Sequence, residues 1–198
     1  MTKYFSIPSR VLHWTMALLI LAMLLIGISM VSSLSDYHRL VAIHRPLGIL
    51  ILVLVAIRLL NRMINPPPPL PADMPAALRF AAHASHWVFY GLMFALPLIG
   101  WSMLSAAGYP IVMIGSLHLP AIAPHDDGLY TFLRSLHTTC AYLLFAVFLV
   151  HLAAAFAHAL IFRDGVFQSM ASWAPAAQRD RALNQDGYSS NASITRAE

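Results

Sequence analysis

Four apolar runs frame this chain: Val11–Val31, Leu40–Leu60, Phe80–Leu104 and Tyr130–Phe162. A helix crosses a hydrocarbon core with roughly 20 residues, and every run reaches that length. The pattern predicts an all-α, integral membrane four-helix bundle with up-down-up-down topology. The fourth run exceeds what a bilayer demands, so it should tilt or protrude into water. Between the second and third runs, Asn61–Arg79 holds Pro66, Pro67, Pro68, Pro69, Pro71 and Pro75, a stiff extended spacer between two helical hairpins. The opposite connection, Ser105–Leu129, mixes apolar residues with Gly108, Pro110, Pro120, Pro124 and an HDDG turn at His125–Gly128, and is expected to cap the bundle. From about Ser172 the chain turns polar and aperiodic. Residues 1–172 therefore read as the membrane domain and 173–198 as a disordered polar tail.

Composition agrees with lipid as the solvent. Hydrophobic residues make up 59% and charged ones 10%, where soluble domains carry about 25% charged. A net charge of +4 would suit nucleic acid only if it were gathered on one surface, and its distribution excludes that partner. Lys3, Arg10, Arg58, Arg62, Arg79, Arg163, Arg179, Arg181 and Arg196 fall on one side of the four runs. Arg39, Arg45 and Arg134 fall on the other, offset by Asp36, Asp126 and Asp127. Basic loops favour the cytoplasm, so both termini are expected there. Arg45 and Arg58 lie near the ends of the second run, where long side chains can reach the headgroups. Lys3 and Arg10 before Val11–Val31 imitate a secretory signal, but its length and the three further runs argue for a retained anchor. The single cysteine, Cys140, forms no internal disulfide and reads as a small core residue.

Chemistry resides in the ten histidines. His13, His44, His83, His86, His137 and His151 lie in or just inside apolar runs, and ionisable groups at membrane depth are costly and usually functional. His137 and His151 are 14 residues apart, which is about 21 Å along a helix with a net rotation of about −40°, so they share a face at two levels. His44 matches the level of His137 near the outer ends of their runs. His13 lies about 20–25 Å deeper, at the level of His151. Two imidazole pairs at two depths suit two non-covalent, bis-histidine haem b groups, with His13, His44, His137 and His151 as axial ligands. No C-x-x-C-H segment is present for covalent attachment. Zinc requires ligands converging on one point. Two imidazoles close the coordination shell of the iron, which leaves electron transfer as the chemistry.

Further residues surround those pairs. His83 and His86 are rival inner ligands, or else contacts to a haem propionate or a quinone. His158 is a candidate for a quinone or proton role, or an interfacial snorkelling side chain. Arg45 and Arg134 are candidate propionate or anion contacts, and with Arg39 they form a positive outer rim. Gly48 is spaced to leave room beside a porphyrin, with Gly27 and Gly91 as further candidates. Trp14 and Trp87 read as interfacial belt residues. His38, His118 and His125 fall in outer loops and are expected to be solvated.

The segments RVLHWTMALLI, VAIHRPLGILILVLVAIRLLNR, AAHASHWVFYGLMFALPLIGW and LRSLHTTCAYLLFAVFLVHLAAAFAHALIFRDG, in that order, resemble the bacterial cytochrome b561 family over about Tyr4–Ser172. The resemblance implies a dihaem cytochrome of the bacterial inner membrane, with His13 pairing His151 and His44 pairing His137. It also implies an electron path from periplasmic superoxide to ubiquinone. The competing reading is a membrane-anchor cytochrome b that relays electrons for a partner dehydrogenase or hydrogenase, or to a periplasmic redox partner.

Overall fold

A computed structural model describes residues 4–71, 74–109, 111–112 and 118–173. Four long helices dominate it: α1 (Ile7–Ser32), α2 (Tyr37–Ile64), α3 (Ala76–Ala106) and α4 (Asp127–Phe156). Each is long and apolar enough to cross a membrane. They overrun the sequence-predicted spans by several residues because local chemistry extends their ends. The Ser6 hydroxyl accepts from Ser9 N–H, and Pro8 tolerates the first turn of α1, where its missing N–H is no loss. The Asp126 carboxylate accepts from Leu129 N–H at 2.6 Å and starts α4. The HDDG segment is thus the N-terminus of a helix and not a free-standing turn. Pro46 in α2 and Pro97 in α3 each withhold one helical N–H, and both lie nearer the same end of the bundle.

α1 packs along α2, α2 along α3, and α3 along α4. Alternating direction follows from the connections. Ser33–Asp36 is a tight turn, and Pro66–Pro71 runs without helix as the prolines require. Between α3 and α4, β1 (Ile111–Val112) pairs antiparallel with β2 (His118–Leu119), a small hairpin that covers one end of the bundle. α4 continues into a π-helical turn, Ala157–Phe162, which Arg163 ends in the left-handed region at φ 51°. α5 (Val166–Ala171) then folds back beneath α1. Phe5 N–H donates to Ser169 C=O, Trp14 Nε1–H to Met170 C=O, and an Arg10 guanidinium N–H to Ser172 C=O. Arg10 is 1% exposed, with its guanidinium 5.1 Å from the Trp173 ring centre. The expected tail falls outside the described residues apart from Trp173.

The apolar core is a plug at mid-depth: Met16 and Ile20, Ile51 and Val55, Tyr90, Leu92, Met93 and Leu96, and Leu144. Leu144 stands seven residues from both His137 and His151, so the plug separates two levels of histidine. Elsewhere packing is open. Among the described residues α4 has no extended backbone contact with α1 or α2.

Replacing Asp126 by Ala should lower the unfolding free energy in detergent by about 1 kcal/mol, whereas Asn should retain most of the cap. Denaturant titration followed by circular dichroism measures the difference.

Candidate functional site

Histidine side chains bridge the open seam beside α4. On the hairpin side of the plug, His44 of α2 faces His137 of α4 with ring centres 6.2 Å apart and ring planes at 65°. On the side carrying α5, His13 of α1 faces His151 of α4 at 6.3 Å and 63°. The spacing is informative. With a metal–imidazole bond of about 2 Å and roughly 1.2 Å from nitrogen to ring centre, two axial imidazoles lie about 6.4 Å apart. Both pairs fall at that separation, at two levels of one helix face.

Unmet hydrogen bonding also fits a missing group. Nδ1 of His44 and Nδ1 of His137 are buried without a partner, as is Nε of Arg45. The His137 ring nears the Leu96 carbonyl without reaching good hydrogen-bond geometry. Buried polar atoms are rarely left in this state. Arg45 brings an unsatisfied cation beside His44, as an anionic substituent would need. A planar macrocycle held between imidazoles therefore suits the residues present. Among the described residues no three His, Cys, Asp or Glu side chains converge on one metal ion.

The level of His151 is more crowded. The His86 ring lies 5.9 Å from His151 at 84°, closer than His13, and Phe89 packs at 5.2 Å. His86 Nδ1–H donates to Ala82 C=O at 2.6 Å, which fixes its ring against its own helix. Its expected status as a rival at this level is retained by position. His83 is exposed on the first turns of α3 and does not join the cluster.

Three expectations are corrected. Arg58 does not reach the headgroups. It turns inward, with Nη2 3.0 Å from His13 Nδ1 and the Tyr90 side chain beside its guanidinium. His158 does not snorkel freely, because Nδ1–H donates to the Asp164 carboxylate at 2.6 Å. The π-helical turn and the left-handed Arg163 bring these two together. His125 is not simply solvated either, since Nδ1–H donates to Ala106 C=O at 2.8 Å and ties the loop to the end of α3. One glycine makes room at a histidine: an added Cβ at Gly100 would stand 3.3 Å from His137 Cε1. At Gly48 it would meet only Met23 Cε at 3.8 Å, and at Gly27 and Gly91 nothing. Sequence reasoning missed Gly100 and Asp164. Gly100 is one residue before Trp101 on α3, and no periodic signal ties it to α4.

The outer arginines differ in setting. Arg134 is exposed on α4, its Nη1 3.3 Å from the Tyr130 hydroxyl, beside a surface hollow that Ser135, Thr138 and Thr139 also line. Arg39 is exposed on the first turn of α2.

Residues 4–173 match the family model described as prokaryotic cytochrome b561. Cytochrome b561 homolog 2 of Escherichia coli (strain K12) is 32% identical over 170 residues, 84% of this chain and 90% of that protein. A Yersinia pestis protein named "Probable superoxide oxidase CybB" is 30% identical over 171 residues, 86% and 97% of the two chains.

Substituting Gly100 by Ala should force the His137 ring to shift by a few tenths of an ångström and perturb one visible absorption component. Low-temperature optical spectra of the variant and of the unaltered protein make the comparison.

Proposed function

Because the chain belongs to the prokaryotic cytochrome b561 family, whose members are bacterial membrane proteins that carry b-type haem and transfer electrons, we propose that this one is a dihaem superoxide:quinone oxidoreductase. The observation that supports it most is the pair of imidazole couples at 6.2 and 6.3 Å, on either side of an apolar plug. In this reading His44 and His137 hold one haem, and His13 and His151 the other. The basic-residue asymmetry puts both termini in the cytoplasm and the hairpin in the periplasm of an inner-membrane protein. Each haem, when bound, cycles between ferric and ferrous and carries one electron at a time.

The work of the chain's own residues follows from their charge and depth. Exposed Arg39 and Arg134, with half-buried Arg45 behind them, give the periplasmic end a positive field that concentrates a small anion. Superoxide gives up its electron there and leaves as dioxygen. A haem held by both His44 and His137 would offer superoxide no open site on its iron, so the electron would pass without a bond between them. The apolar plug keeps water and ions out of the space between the two levels. On the cytoplasmic side, two electrons and two protons convert one quinone to quinol for every two superoxide ions consumed. His158, oriented by Asp164 at 2.6 Å, and the exposed His83 are placed at that end to hold and deliver protons. The superoxide oxidase named among the relatives supports this direction.

The purified protein should bind two haems and show rapid reduction by superoxide and reoxidation by a ubiquinone analogue without any partner. Reduction only after a second subunit is added would favour an anchor subunit instead. His137→Ala should abolish the periplasmic haem and His151→Ala the cytoplasmic one, counted by pyridine haemochrome assay. Retention of both haems in His151→Ala would shift the assignment to His86. Reversing Arg134 to Glu should slow superoxide oxidation by roughly tenfold at low salt and flatten its ionic-strength dependence, as expected of lost electrostatic steering. Stopped-flow reduction kinetics supply both readings.

A further inference from the structure

Arg58 has no task in the electron-transfer scheme, yet its position is a demanding one. It lies 14 residues after His44 on α2, the interval that separates His137 from His151, and so it shares the His44 face about 21 Å further along. There its Nη2 stands 3.0 Å from His13 Nδ1, and the buried Tyr90 side chain lies beside its guanidinium. Among the described residues it forms no ion pair with a carboxylate; Asp164, a described acidic residue at this end, serves His158 and the N–H of Val166. A half-buried cation at membrane depth with no ion pair among the described residues is costly. Most long basic side chains near a helix end avoid that cost by reaching for water, and this one turns away from it.

On the dihaem reading above, we propose that Arg58 is a positioning residue for the haem held by His13 and His151, whose fixed cation favours the ferrous state of that haem over the ferric. Ferric bis-imidazole haem carries one more positive charge than ferrous, and at low effective dielectric a nearby guanidinium penalises the more positive form. Charge and hydrogen bonding near the ligands are established means of setting haem potential. Guanidinium can only donate, and a metal-bound neutral imidazole keeps its proton on the free nitrogen. Tyr90 is therefore the partner that retains Arg58 beside the site once His13 is engaged. An electron arriving from the periplasmic side meets a cytoplasmic haem biased to accept it.

Potentiometric titration of the two haem absorption waves, assigned with His137→Ala, tests this. In Arg58→Met the ferrous:ferric ratio of the cytoplasmic haem at a fixed applied potential should fall about tenfold, a shift of about 59 mV for one electron. The periplasmic haem should move much less, because it would lie about 21 Å further from the charge. Arg58→Lys should restore most of the ratio. Tyr90→Phe, which keeps the charge but loosens it, should lower the ratio of the same haem by roughly threefold. An unchanged cytoplasmic wave in Arg58→Met, an equal fall at both haems, or Lys behaving as Met would overturn the proposal. Should Arg58→Met fail to take up its cytoplasmic haem, Tyr90→Phe decides: a wave unmoved there also overturns it. Wild-type protein with fewer than two haems removes the dihaem reading first and this inference with it.

Discussion

Neutral imidazole inside hydrocarbon is the constraint on which the rest of this structure depends. An imidazole carries a donor and an acceptor, and lipid can satisfy neither. Four histidines at two depths would burden an ordinary bundle. Here they face one another in pairs across a seam where the backbones stand apart, at a separation that suits a metal between them. Coordination would replace the missing hydrogen bonds with something stronger. The open seam, the mid-depth plug and the buried unpartnered Nδ1 atoms of His44 and His137 all follow from that requirement.

Much of this was legible in the sequence because membrane helices are regular. Lipid forbids unsatisfied backbone, so run length gives span number, and a rise of about 1.5 Å per residue converts spacing into depth. The matches of His13 with His151 and of His44 with His137 rest on that arithmetic, and the ring separations agree with it. What stayed hidden depends on where side chains turn. Arg58 could reach outward or inward with equal ease, and only its neighbours Tyr90 and His13 decide. Gly100 matters through a contact with another helix. His158 finds Asp164 only because the last turn of α4 widens and Arg163 adopts a left-handed backbone, neither of which leaves a periodic trace.

The two ends of the bundle are built differently. One carries a β-hairpin, exposed arginines and a hollow lined by Ser135, Thr138 and Thr139. The other is floored by α5 and dense in half-buried histidines and arginines, with side-chain bonds linking α1, α2 and the C-terminal segment. Asn61 Nδ2–H donates to the Ser9 hydroxyl at 2.7 Å within this floor. α4 touches both ends and carries one member of each imidazole pair, which makes it the common electrode of the design.

The floor also has a consequence for biosynthesis. Arg10 leaves the ribosome some 160 residues before Ser172 and Trp173, which enclose it. At about 5–20 residues per second that interval lasts roughly ten to thirty seconds. Throughout it the base of α1 lacks its cover. The nascent protein therefore has a built-in delay during which Arg10 stays accessible, and the enclosure forms only after α4 and α5 have emerged.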